Sequence, residues 1–283
     1  MTRRMSWVGA ALLALTVSAP AADFQKSALP EWKLAVQTWT FNRLTLLETI
    51  DVVKDLGVQY LEVYPGQKLG KDLPGAFGPG MSEEATKAVQ AKLKEAGIGI
   101  VALGVAGIPA KEADARKMLE WAKSWGIEVI NTEVGKGQFA VLDKLVTETG
   151  VKIGLHNHPK PSRLWNPDVI VEEAKDYKNI GACADTGHWP RSGLVALDCL
   201  KKLEGRISSL HFKDVKKVGD RWIDQPWGTG ACEAKAMLAE LKRQGFKGVI
   251  SIEYEHVDAK LKDNVKACAE WWFKTAKELA AAK

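Results

Sequence analysis

The stretch Asn179–Asp214, NIGACADTGHWPRSGLVALDCLKKLEGRISSLHFKD, carries the pattern on which the fold turns. An apolar run, Asn179–Asp185, ends in a carboxylate, and His188 follows three residues later. A helical stretch comes next. A second apolar run, Arg206–Phe212, then delivers His211, Lys213 and Asp214. The same unit recurs on either side, with strand candidates at Leu34–Trp39, Val58–Val63, Ile98–Gly104, Ile127–Glu133, Val151–Asn157 and Gly248–Glu253. Several of these runs are rich in Val and Ile and lack strict alternation, as strands covered on both faces do. One-sided apolar stripes fill the gaps, for example Leu261, Val265, Cys268, Trp272, Ala276 and Leu279. Glycines stand at the helix-to-strand joints Gly57, Gly97, Gly126, Gly150 and Gly245.

Eight strand-helix units predict an α/β fold, a single-domain (β/α)8 TIM barrel. An open doubly wound sheet fits less well, because it carries fewer units and a glycine-rich first turn that is missing here. The two longest strand-to-helix loops, Tyr64–Met81 and Asp214–Ala231, follow strands two and seven. They open on the C-terminal face, where barrel enzymes keep their chemistry.

Four of the five histidines sit at or just past the end of an apolar strand. Strand four ends in Glu133, strand five runs into His156-Asn157-His158-Pro159, strand six ends in Asp185, and strand eight ends in Glu253. Carboxylates and imidazoles meeting from neighbouring strands suit one divalent ion, Mn, Co, Zn or Mg, and no cysteine joins them as a structural zinc site would require. A single buried His is more often a hydrogen-bonded core residue, and a strand-end carboxylate often caps a helix. It is the joint placement that points to a metal.

The N-terminus reads as a secretory signal over residues 1–22, with the barrel in 23–283. Arg3 and Arg4 precede the uncharged run Val8–Val17, and Ala19-Pro20-Ala21 gives a small-x-small cleavage pattern. That run is shorter than the ~20 residues of a membrane span. The expected location is therefore periplasmic or secreted, without stable membrane insertion after signal cleavage. Without Arg3 and Arg4 the formal charge falls from +5 to +3, too weak for a nucleic-acid surface. Cys183, Cys199, Cys232 and Cys268 lack metal-clip spacing and read as small buried apolar residues.

Asp185-Thr186-Gly187-His188, His211-Phe212-Lys213-Asp214 and Ile252-Glu253 resemble the xylose isomerase-like TIM barrel superfamily over essentially all of 23–283. The run Gly181–Gly193 resembles its exported branch, usually labelled sugar phosphate isomerase/epimerase. In the epimerases the resemblance implies an ion held by Glu, Asp, His and Glu from strands five to eight. Asp185, His211 and Glu253 carry over. Strand five instead offers His156, as the dehydratase members do, and Glu133 is the other candidate for the missing carboxylate, as ligand or as base.

Resemblance and residues together imply proton abstraction next to a sugar carbonyl, the expected activity being a metal-dependent sugar isomerase or epimerase. Glu253 and Glu133 are the acid/base candidates, His188 a relay, and Lys213 a partner for a developing oxyanion. Loss of a β-substituent or addition of water would make the enzyme a lyase or hydratase on keto-sugars or keto-glycosides. The non-enzymatic alternative is an exported carbohydrate-binding barrel. The expected partner is a small sugar or glycoside. Trp39, Trp189 and Trp227 offer aromatic faces to its C–H groups, and Asn157, His158 and Arg191 offer hydrogen bonds. Gly228-Thr229-Gly230 lies where many barrels bind phosphate, although a tight turn explains it equally.

Overall fold

The computed structural model describes residues 24–282. The segment read as a signal lies outside them. Eight parallel strands close into a barrel: β1 (Trp32–Gln37), β2 (Tyr60–Val63), β3 (Gly99–Leu103), β4 (Val129–Thr132), β5 (Lys152–His156), β6 (Ile180–Asp185), β7 (Ile207–Phe212) and β10 (Gly248–Ile252). β1 pairs with β10, from Trp32 opposite Gly248 to Val36 opposite Ile252, and so closes the cylinder. Helices separate the strands in the alternating order expected of a (β/α)8 TIM barrel.

The helices form where the sequence supplies both an apolar stripe and termini. α1 (Leu46–Asp55) starts at Thr45 with a reciprocal capping box to Glu48, and buries Leu46, Thr49, Ile50 and Val53. The last helix (Leu261–Ala281) buries Val265, Cys268, Trp272, Ala276 and Leu279, the stripe read from its periodicity. The main core lies between this helical ring and the outer faces of the strands. A smaller apolar cluster, Ala35, Val101, Ala102, Val129 and Val249, forms a separate packed group of strand residues. The four cysteines are buried and free.

The region after β7 departs from its reading as an open loop. It contains an antiparallel hairpin, β8 (Asp214–Val218) and β9 (Arg221–Gln225), with Val218 opposite Arg221. Gly219, at φ +60°, provides the left-handed residue of the two-residue turn. Two five-residue strands, Asp-Val-Lys-Lys-Val and Arg-Trp-Ile-Asp-Gln, largely charged and without strict alternation, hide such a hairpin in sequence. Among the described residues, no helix is long and apolar enough to cross a membrane.

Candidate metal centre

His156 and Asp185 are the last residues of β5 and β6, His211 is next to last in β7, and Glu253 follows β10 directly. Parallel register places these ends side by side: His156 pairs with Cys183, and Asp185 with His211. Each of the four residues offers one ligand atom, and these atoms lie within 4.8 Å of one another. Each also has one buried atom without a hydrogen-bond partner: His156 Nε2, Asp185 Oδ2, His211 Nδ1 and Glu253 Oε2. Buried polar atoms are rarely left so. Four orphans of mixed nitrogen and oxygen, each able to donate an electron pair once any proton has left, fit a divalent ion.

The groups behind the imidazoles set which nitrogen faces inward. Glu133 Oε1 lies 3.3 Å from His156 Nδ1, and an ionised carboxylate only accepts, so Nδ1 carries the proton and Nε2 turns a lone pair inward. Glu62 Oε1 lies 2.8 Å from His211 Nε2, which leaves His211 Nδ1 facing the cluster. Carboxylates behind metal-ligating histidines orient them in this way. Asp185 is aimed by its own backbone: Oδ1 accepts from Gly187 N–H at 2.9 Å and His188 N–H at 3.0 Å, which frees Oδ2. His188 is different. Its Nδ1 lies 3.1 Å from Arg191 Nη1, a group that only donates, so His188 Nε2 carries the proton; it stands 3.3 Å from Asp185 Oδ2 without hydrogen-bond alignment. Burial pulls the His188 imidazole down to about 2, which agrees with a neutral ring.

Glu62 was missed in the sequence. It is fully buried, takes Asn131 Nδ2–H at 2.7 Å and Ser251 Oγ–H at 2.5 Å, and forms the polar floor beneath the site. Gly104 and Gly154 make room for this floor: a Cβ on either would lie within 2.6 Å of an Asn131 side-chain atom. Burial works against the Glu62 carboxylate, but His211, Ser251 and Asn131 hold it below the usual range. A lone acid in Tyr60-Leu61-Glu62-Val63, a strand covered on both faces, was the available signal.

Lys213 also differs from its expected role. It is fully buried, with Nζ 2.9 Å from Asp185 Oδ2, 2.6 Å from Glu253 Oε2 and 2.6 Å from Glu255 Oε2. Its charge is thus committed to three carboxylates rather than directed into the cavity. Burial alone would lower the Lys213 ammonium; Asp185, Glu253 and Glu255 raise it well above the ordinary value. For Glu253, burial favours the acid, and His211 and Lys213 outweigh it to keep the carboxylate ionised.

Beside the donor cluster, and sharing His156 and Glu253 with it, opens a cavity of about 360 Å³, lined also by Gln37, Trp39, Tyr64, Pro65, Gly104, Val105, His158, His188 and Glu255. That volume lies near the lower end of small-molecule sites. Trp39 is 45% exposed and meets Tyr64 edge-on at 5.1 Å, forming one aromatic wall. Glu133 bridges His156 and His158, and so orients them instead of facing the cavity. Its hydrogen bonds to both keep it ionised, and it raises His158 in return.

Four expected sugar contacts lie elsewhere. Trp189 is fully buried in the core, and Trp227 packs on Phe212 at 4.7 Å between ring centres. Asn157 is engaged by the Asp185 backbone, donating to its carbonyl at 3.0 Å and accepting its N–H at 2.8 Å. Arg191 pairs with Asp224 on β9 at 3.1 Å as well as with His188. A position at a strand end does not say which way the side chain turns. The Gly228-Thr229-Gly230 turn is likewise committed: Gly228 and Gly230 N–H donate to Asp214 Oδ2 at 2.9 Å, and Cys232 N–H to Oδ1 at 3.0 Å. Asp214 fills the place an anion would take.

The chain is similar to known proteins. A solved structure of an uncharacterized protein from Parabacteroides distasonis is 32% identical, with a TM-score of 0.67 over 85% of this chain and 98% of that one. An inosose isomerase of Halalkalibacterium halodurans is 25% identical over 242 residues, 75% of this chain and 86% of that protein. An uncharacterized protein of Methanocaldococcus jannaschii is 30% identical over 135 residues; the match takes in 44% of this chain and only 45% of that protein's length. The family model described as xylose isomerase-like TIM barrel matches residues 50–275, and the chain belongs to that family.

Proposed function

We propose that the chain is a divalent-metal-dependent enzyme that isomerises or epimerises an unphosphorylated sugar by moving a proton next to a carbonyl. The observation that carries this reading is the set of four orphaned donor atoms, two of whose residues, His156 and Glu253, line a cavity of about 360 Å³. His156, Asp185, His211 and Glu253 would hold the ion, Mn, Co, Zn or Mg. Bound there, it would supply Lewis-acid polarisation of a carbonyl and charge for the enolate that develops.

The remaining chemistry belongs to the chain. Glu253, kept ionised and bordering the cavity, is the group to take the proton; Glu255 stands beside it. His188 presents a neutral N–H, and His158, raised above its ordinary value by its hydrogen bond to Glu133, lines the cavity as a candidate proton donor. Trp39 and Tyr64 give the C–H face of a sugar an aromatic wall. An unphosphorylated substrate is favoured because two carboxylates and no Lys or Arg line the cavity, while the turn amides are already bound to Asp214. The name of the relative that is an inosose isomerase supports a cyclic polyol or sugar of this kind.

His158, which lines the cavity and is raised by Glu133, also favours a second reading, elimination or hydration of a keto-sugar, in which it would serve the leaving oxygen. Incubation with Mn²⁺ and unphosphorylated keto-sugars in D₂O, followed by NMR, tests both. Deuterium at the carbon next to the carbonyl, lost with chelator and in Asp185→Asn, is the expected result. Accompanying loss of a substituent identifies the lyase, and binding without exchange on any substrate contradicts catalysis in favour of a carbohydrate-binding barrel. We further propose export to the periplasm or beyond with cleavage near residue 22, from the N-terminal pattern; the N-terminal sequence of the secreted protein checks it.

A further inference from the structure

We propose that Lys213 is a tethered cation that neutralises the metal centre when no ion is bound and sets how tightly the ion is held. This rests on the metal-binding reading above. The Lys213 ammonium is within 2.9 Å of Asp185 Oδ2 and 2.6 Å of Glu253 Oε2, two of the four orphaned donor atoms. Neither contact has hydrogen-bond alignment. The aligned bond is to Glu255, at 2.6 Å, a carboxylate outside the donor set.

The build of the site limits movement to the side-chain tip. Lys213 is held through its backbone, whose N–H and C=O both bond Thr186 Oγ1 at 2.7 Å. Gly187 leaves the space its stem fills, since a Cβ there would lie 2.8 Å from Lys213 Cβ and Cδ. Glu255 is fixed in turn by its N–H to Asp224 Oδ2 at 3.0 Å. A divalent ion and an ammonium cannot share two buried carboxylate oxygens without strong repulsion. The ammonium therefore yields Asp185 and Glu253 to the ion and keeps Glu255, with no backbone rearrangement. Without the ion it prevents two buried carboxylates from facing each other uncompensated.

The test is calorimetric titration of the chelator-stripped full chain with MnCl₂. Lys213→Met should bind Mn²⁺ at least tenfold more tightly than the unsubstituted chain. Glu255→Gln should weaken binding several-fold, and that loss should largely disappear in the Lys213→Met background. Equal or weaker binding by Lys213→Met, with Mn²⁺ still bound by the unsubstituted chain, overturns the proposal and leaves the metal site standing. Failure of both proteins to bind Mn²⁺ overturns both. If Lys213→Met does not fold, structures of the unsubstituted chain with and without Mn²⁺ decide. Nζ withdrawn from Asp185 and retained on Glu255 supports the proposal; Nζ still touching all three carboxylates beside the ion overturns it.

Discussion

Glu62 Oε1 accepts the Nε2–H of His211 at 2.8 Å inside the barrel, and this bond leaves His211 Nδ1 facing the candidate metal cluster. Glu62→Gln removes the charge and allows the amide to present a donor instead. Loss of such a supporting carboxylate typically costs 10- to 100-fold in metal affinity. We expect a Mn²⁺ dissociation constant about tenfold or more higher, measured by calorimetry, with the barrel's circular dichroism retained.

Ion uptake should release a proton. Burial disfavours a charged His211, but Cys183, Glu253 and Glu62 raise it well above its ordinary value, which favours a proton on the ion-free ring. A ligand nitrogen must be free of its proton. Affinity should therefore rise with pH, by about tenfold per unit below that raised value. Titrations in two buffers of different ionisation enthalpy should report about one proton released per ion; no release would contradict this assignment.

Asp214 anchors the turn after the β8–β9 hairpin through three backbone N–H groups. Asp214→Asn replaces an ionised acceptor with a group that also donates. The expected loss is about 1–3 kcal/mol, more than a typical surface change. In a chain of this size each kcal/mol lowers the melting temperature by about 2–4 °C, which scanning calorimetry resolves.

Trp39 is the most exposed residue of the aromatic wall. Trp39→Ala removes contact that a bound sugar keeps through the reaction. The Michaelis constant should rise about tenfold with the turnover number little changed, the signature of lost uniform binding. An unchanged Michaelis constant would place the substrate elsewhere in the cavity.

The barrel was legible because eight apolar runs, spaced by amphipathic stretches, leave few other ways to cover both strand faces. Asp185, His211, His156 and Glu253 were legible for the same reason: strands that run in parallel bring their ends to one rim. What lay beneath and behind them was not. Glu62, Asn131 and Ser251 meet inside the barrel only once β2, β4 and β10 are in register, and their positions within strands marked them as core. Lys213 stood beside His211 in sequence, but its three carboxylates come from the ends of β6 and β10. Trp189 and Trp227 were near strand ends and turned into the core, an outcome decided by packing rather than position.

The most direct measurement is anomalous diffraction at the manganese edge from crystals of the full chain soaked in Mn²⁺. The account requires a single strong peak in contact with His156 Nε2, Asp185 Oδ2, His211 Nδ1 and Glu253 Oε2. No peak there, or a peak elsewhere with these four atoms still unpartnered, would contradict it.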